Sequence, residues 1–439
     1  MAWTTFKLSL AAGMLLTGSL NTLSTKAADQ ATTTNRYGES VNFNHPFFQA
    51  LCMFIGEFSC LIAFYVARAR ARSRGDKFEE AAPFNPLIFL LPALCDMTAT
   101  SLMYVGLSLT DASIFQMLRG SVVIFTGIAS VLFLKNKDGS RRRLGSYQWF
   151  GMALVLLGTA AVGTASYACP ASGATAAADA SKALLGNSLI LVAQVIVAAQ
   201  MVVEETFISG YNVPALQVVG LEGLFGICAL SVVLTIMYFV PAPVAFCLYP
   251  ATGSYPAHCD HFEDAYDAVV QMGNNWIVAT MLALNTLSIA FFNCMCFALS
   301  SLRHSLFVSH SHSFLISLLL PLLAPALALS CVPPRALAPP LSSDFGVSVT
   351  KHISASTRMV LDSLRTMIIW GFSLGVKWES FCYIQVVGFL ILLSGTVVYN
   401  KIVKLPFLKY EDEEGEAASD EGKLAEGDSE ALLLNESVN

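Results

Sequence analysis

Runs of apolar residues, each about 20 long and so able to cross a bilayer as one helix, recur along the whole chain. Ten can be read, near 7–25, 47–67, 86–107, 111–134, 146–166, 185–208, 215–239, 276–296, 352–376 and 380–400. They are too long for strands and lack the period-two alternation of a membrane barrel. Of the 439 residues 55% are hydrophobic and only 13% are charged, against about a quarter charged in soluble domains. That excludes a soluble globule with a water-filled cleft. The expected fold class is therefore all-α, a polytopic membrane protein with ten transmembrane helices. The first run has two readings. Lys7 before an apolar stretch, with Ala27 and Ala28 after it, fits a cleaved signal peptide. Thr17, Ser19, Asn21 and Thr22 fit better with a retained helix packed on others.

Charge placement orients the spans. The loop after the second run carries Arg68, Arg70, Arg72, Arg74 and Lys77, and the loop after the fourth carries Lys135, Lys137, Arg141, Arg142 and Arg143. Lys401, Lys404 and Lys409 follow the last run, whereas 241–275 has no Lys or Arg but holds Asp260, Glu263, Asp264 and Asp267. By the positive-inside rule both termini face the cytosol and 241–275 faces the other side. Cys169, Cys247 and Cys259 then fall in non-cytosolic loops, where a disulfide among them is one reading and unpaired thiols the other. No His/Cys spacing indicates a metal site, and no cofactor is expected.

Two halves of the chain echo each other. Gln148, Gly151, Gly158 and Thr159 match Gln385, Gly388, Gly395 and Thr396 at constant offset, Arg119 matches Arg365, and VGLSLT (105–110) matches FGVSVT (345–350). Glu57 and Glu222 occupy the second helix of each half. The expected organisation is a five-helix repeat over 1–166, a non-cytosolic loop over 167–184, and a second, inverted five-helix repeat over 185–400. Inverted repeats place a binding site near the midplane and favour alternating access. Residues 295–344 have no counterpart in the first half. They are rich in Leu, Ser and Pro, as a translated intron end would be, and are read as a retained intron or gene-model error. The competing reading is a real insertion with a further helix at 314–331. Pro321 and Pro325 oppose that helix, and an added span would invert everything after it.

A charge at the bilayer centre costs roughly 2.5–3.5 kcal/mol on insertion scales, so intramembrane charges mark functional candidates. Here they are Glu57, Asp96, Arg119, Glu222, Lys351, Arg358, Asp362 and Arg365. Arg358, Asp362 and Arg365 stand at i, i+4 and i+7 and share one helix face, which Lys351 extends. The functional reading is an anion-attracting site in a translocation path, with the arginines binding and Glu57, Asp96 and Asp362 orienting or neutralising them. The structural reading is an ion-pair network that fixes helix packing, with Lys351 snorkelling at its helix end. Glu204 and Glu205 read as interfacial. The repeated Gly and Thr positions read as close helix packing. HExxH, GxSxG and P-loop patterns are absent, so an enzyme is not expected.

GLSLTDASIFQMLRG (106–120) and SVTKHISASTRMVLDSLRT (348–366) resemble the drug/metabolite transporter superfamily. NPLIFLLPALCDMTATSLMYVGLSLTDASIFQMLRG (85–120), MVVEETF, GLEGLFG, SIAFFN and TRMVLDSLRT are more closely similar to subfamily F of solute carrier family 35. The likeness covers 1–410 apart from 295–344, and the loop 135–145 is longer than the family's. It implies a ten-helix, nucleotide-sugar-transporter-like carrier, and associates it with the lysosomal membrane and mitochondria, with the Golgi as a further site. Related carriers exchange a nucleotide sugar for a nucleoside monophosphate. Their nucleotide-binding motif is not visible here, and DSLRT occupies its neighbourhood.

The segment 411–439 carries eleven acidic residues and one lysine. Together with Lys401, Lys404 and Lys409 before it, 401–439 reads as a disordered cytosolic tail. Within it Asp428, Leu432 and Leu433 form an acidic dileucine pattern, which predicts clathrin-adaptor binding and endosomal or lysosomal delivery. The expected partners are a small-molecule solute, the lipid bilayer and adaptors, with a homodimer left open and no nucleic acid. The function read from the chain is transport of a small, anionic, nucleotide-sugar-like solute by alternating access. The alternative is a non-transporting interaction or regulatory protein on a carrier scaffold.

Overall fold

The computed structural model describes residues 5–74, 83–133, 144–168, 176–211, 213–241, 261–301 and 355–403. The dileucine pattern, most of 295–344, Lys351 and the loop cysteines Cys169, Cys247 and Cys259 lie outside them. The helices are α1 (Thr5–Gln30), α2 (Pro46–Arg74), α3 (Leu90–Leu109), α4 (Ala112–Arg119), α5 (Val122–Phe133), α6 (Ser146–Ala168), α7 (Ala176–Tyr211), α8 (Ala215–Phe239), α9 (Ala265–Asn274), α10 (Trp276–Ser301), α11 (Ala355–Gly375) and α12 (Tyr383–Tyr399). A short hairpin of β1 (Thr32–Thr34) and β2 (Ser40–Asn42) separates α1 from α2.

Ten spans were expected. Among the described residues seven helices are long and apolar enough to cross a membrane, and Tyr383–Tyr399 is a shorter apolar helix. α1 misses that standard because Ser, Thr and Asn dilute it, and α11 because Arg358, Asp362 and Arg365 do. Both are nevertheless full-length helices packed into the bundle. The outer faces are apolar, with Leu156, Leu157, Val232 and Ile236 exposed, while glutamine, asparagine and glutamate are buried inside. This reverses the soluble pattern and suits a lipid surround.

Small residues set the helix pairs. A Cβ at Gly151 would lie 2.8 Å from the Gly395 carbonyl, one at Gly395 2.6 Å from the Val155 nitrogen, and one at Gly388 2.8 Å from the Val162 nitrogen, so α6 and α12 meet backbone to backbone. Gly220, Gly223 and Gly226 seat α8 against Leu61, Glu57 and Phe54 of α2 in the same way. Without a hydrophobic force between helices in lipid, such close approach is what holds them together. The further pairs are α3 with α7 and α1 with α10.

Three elements differ from expectation. The fourth span is two helices, broken at Gly120 and Ser121 immediately after Arg119. A Gly-Ser pair is a usual cause of such a break. The loop 241–275 contains α9, started by the Asp264 side chain, which accepts from the Tyr266 and Asp267 amides. α10 runs on to Ser301, so the first residues of 295–344 continue a helix.

Outside the bilayer α9 packs on the hairpin. Thr33 Oγ1 donates to the Gln271 carbonyl, and Asn274 and Asn275 donate to the Thr34 and Thr32 carbonyls. His45 is buried beneath, 3.3 Å from Glu263 and 3.7 Å from Asp267.

Candidate functional site

An internal cavity lies among α1, α2, α3, α4, α10 and α11. Its polar lining is Asn21, Thr22, Thr100, Tyr104, Arg119 and Arg365, and Met53, Met103, Phe115 and Phe292 provide much of its apolar wall. The expected site drew on α8 and omitted α1. The cavity does the opposite, because α1 packs along α10 and brings Gly18, Asn21 and Thr22 to its wall.

Arg365 reaches the cavity from α11 and is 9% exposed. With the Gln116 amide oxygen turned toward it, that oxygen accepts from the Arg365 guanidinium at 2.7 Å and 3.0 Å. The other side of the guanidinium lies against Gly18, where a Cβ would come within 2.9 Å of Nη1. Arg119 ends α4, its guanidinium 5.7 Å from the Phe115 ring centre. At the break that follows it, the Gly120 and Ser121 amides donate to the Met117 and Leu118 carbonyls at 3.0 Å each. Gln116 and the break escaped the sequence reading. Gln116 stands three before Arg119 on the same face, which was the available signal.

A polar hub fixes the surrounding helices. Asn285 is fully buried on α10. Its Oδ1 accepts from Asn21 at 2.6 Å and from Tyr104 at 3.3 Å, and its Nδ2 donates to the Gln49 carbonyl. Lys26 on α1 donates to the Leu107 and Thr110 carbonyls at 2.8 Å and 2.7 Å, closing the C-terminus of α3. A lysine there also suits the negative end of the helix dipole. At the same end of the bundle Glu379 accepts from the Ser113 amide (3.1 Å) and hydroxyl, and Gln385 donates to that hydroxyl.

The expected site residues divide into groups. Arg119 and Arg365 meet in the cavity. Glu57, Asp96 and Glu222 do not line it. They gather beside it with Glu204, on α2, α3, α8 and α7. Glu204, read from sequence as interfacial, is half-buried and lies near Glu222. Thr100 connects the two groups: it lines the cavity and donates to Asp96 Oδ1 at 3.0 Å. Asp96 also lies within electrostatic reach of Arg119. Arg358 and Asp362 are on α11, but their side chains, like all of Lys351, are outside the described residues.

Two guanidinium groups, a phenol and a threonine hydroxyl, set among aromatic rings and methionines, suit noncovalent binding of an anion that carries an apolar or planar part. No group of three or more His, Cys, Asp or Glu among the described residues is placed to hold a metal ion.

The family model described as Nucleotide-sugar transporter matches residues 15–205. "Solute carrier family 35 member F6" of Homo sapiens is 44% identical over 403 residues, covering 91% of this chain and 90% of that protein. The protein of the same name from Mus musculus is 40% identical over the same extent. An uncharacterized protein of Schizosaccharomyces pombe is 27% identical over 398 residues, covering 90% of this chain and 97% of its own.

Proposed function

The chain belongs to solute carrier family 35, in its subfamily F, and on that premise we propose that it carries a small anionic solute across a membrane by alternating access. It is a multi-pass membrane protein, and its family are carriers rather than enzymes. The solute class we propose is a nucleotide sugar or related metabolite. The observation that carries this reading is Arg119 and Arg365 lining one internal cavity. A planar guanidinium can hold a phosphate or carboxylate by two parallel hydrogen bonds, and Tyr104, Phe115 and Phe292 offer faces for a ring. Arg358 and Asp362, on α11, and Lys351, which precedes that helix in sequence, are the further residues of the proposed path.

The proposed frame is ten helices in two inverted five-helix repeats. It is supported by like helices packing on like: α6 on α12 through the repeated glycines, and α2 on α8 at their glutamates. Rocking of one half against the other, across the Asn285 hub and the contacts of Glu379 and Gln385 with Ser113, would expose the arginines to each side in turn. The dileucine pattern at Leu432 and Leu433 would deliver the protein to endosomal or lysosomal membrane through adaptors.

The test is uptake by proteoliposomes holding the purified full-length chain, from a panel of nucleotide sugars, nucleoside monophosphates and organic anions. Arg365→Gln should lower exchange of the accepted solute by about tenfold or more, the worth of one charge-assisted hydrogen bond. Exchange of nothing in the panel, or equal exchange by the variant, overturns the reading.

A further inference from the structure

Glu57, Asp96, Glu204 and Glu222 come from four helices and lie within electrostatic reach of one another. Glu57 and Glu222 are 6% and 5% exposed. Glu57 Oε2 and Glu222 Oε1 make no hydrogen bond among the described residues. The Glu204 and Glu222 side chains are within hydrogen-bonding reach of each other, and Gln200 lies beside Glu204. Two carboxyl groups can share a hydrogen bond only if one holds a proton. The helices are tightly fixed at this point, because a Cβ at Gly223 would lie 2.8 Å from the Glu57 Cβ.

We infer that these four carboxyl groups form a proton-binding site, coupled to the arginine-lined cavity through Thr100 and Asp96. The groups that face it are acids on each packed helix, Glu57 from α2, Asp96 from α3, Glu204 from α7 and Glu222 from α8, with Cys95 and Tyr104 beside them and Arg119 acting on Asp96. Two of these carboxyl groups are buried and all four lie within electrostatic reach of one another, so ionisation of one opposes ionisation of the others and they titrate as a coupled set. The orphaned oxygens of Glu57 and Glu222 are the places where a proton is held without competition from a fixed donor.

The coupling follows from charge. Arg119 favours the ionised form of Asp96. An anion seated on Arg119 cancels that field, so the acid group gains proton affinity as the anion binds. By thermodynamic reciprocity a proton bound at the acids strengthens the hold on the anion. Anion and proton therefore travel together. This last step rests on the carrier reading above; the proton site does not.

The experiment needs no substrate. Infrared difference spectra of the purified full-length protein, titrated from neutral to alkaline pH, should show the carbonyl stretch of protonated carboxyl groups at neutral pH and its loss on alkalinisation. Glu57→Gln and Glu222→Gln should each diminish that band, while Glu379→Gln, at the extramembrane end, leaves the Glu57 and Glu222 contributions in place. Arg119→Gln, which imitates the charge cancelled by an anion, should move the alkaline midpoint upward by about one pH unit or more. A wild type without the band at neutral pH, or a band indifferent to both Glu57→Gln and Glu222→Gln, overturns the proton site. An unmoved midpoint in Arg119→Gln overturns the coupling. If the titration behaves as stated and proteoliposomes move nothing, the carrier reading fails and the proton site stands.

Discussion

Arg365 holds its place through two side chains far from it in sequence. Gly18 leaves room for the guanidinium on α1, and Gln116 accepts two of its hydrogens from α4. Arg365→Lys keeps the charge but loses the planar fork, so it should recover little of the exchange lost in Arg365→Gln. Gln116→Leu should weaken binding by about tenfold or more, since a hydrogen bond to a charged group contributes about 1.5–3 kcal/mol. Initial-rate exchange by proteoliposomes checks both, and wild-type rates in Gln116→Leu would mean the pair does not position Arg365. The arginines were legible in the sequence because a charge in an apolar run is costly and conspicuous. Gln116 was not, because an amide in such a run reads equally as packing. The nearness of Glu204 to Glu222 was hidden because Glu204 lies near the end of its apolar run, although α7 continues as far as Tyr211.

At the scale of elements, repeat spacing revealed the α6–α12 seam directly. Gln148, Gly151, Gly158 and Thr159 recur with their partners because each helix needs the same narrow strip. Gly158→Leu should force α6 off the Leu392 backbone. It should lower stability by about 1–3 kcal/mol, as overpacking does, and appear as earlier loss of the monodisperse peak on heating in detergent. Gly163→Leu is the control, since nothing lies near that position. The cap formed by the hairpin and α9 was illegible, because its strands are only three residues long and its loop has no apolar run. Its pH behaviour can be worked out. Burial alone would lower the His45 pKa, but hydrogen bonds to Asp267 and Glu263, and their charges, outweigh it and push the imidazole up to about 9. Asp267 is raised by burial but lowered more by the His45 hydrogen bond, the Arg36 amide and Gln271, leaving it below the usual value. His45 therefore stabilises the cap fully below its ordinary pKa of about 6.5, and that contribution is lost as pH rises through about 9. The Asp267 contribution is present above the ordinary value of 3.8 and lost as pH falls below it. Hydrogen exchange of 31–42 and 264–275, corrected for intrinsic rate, should thus stay protected in mildly acidic medium and loosen above about pH 9. His45→Gln should loosen it at neutral pH, and unchanged protection there would mean that the ion pairs do not hold the cap.

At the scale of the molecule, the formal charge of −6 is two opposite charges joined in one chain. The segment 411–439 is strongly acidic and the remainder is net basic. If the dileucine pattern directs traffic, replacing Leu432 and Leu433 with Ala should shift the tagged protein to the cell surface. Unchanged organelle residence would dismiss the adaptor proposal. The same charge pattern bears on 295–344. The basic residues after the second, fourth and last runs agree only if an even number of spans separates the two termini. A further helix at 314–331 would place Lys401, Lys404 and Lys409 on the wrong side. The segment also interrupts a match between the halves that resumes at Phe345. A chain in which Cys294 is joined to Phe345 should therefore insert, purify as one species and exchange solute at least as well as the full chain. Loss of expression or of exchange in the shortened chain, with the full chain active, would establish the segment as a working part of the carrier. A spliced transcript lacking its codons would explain why the repeat is broken there.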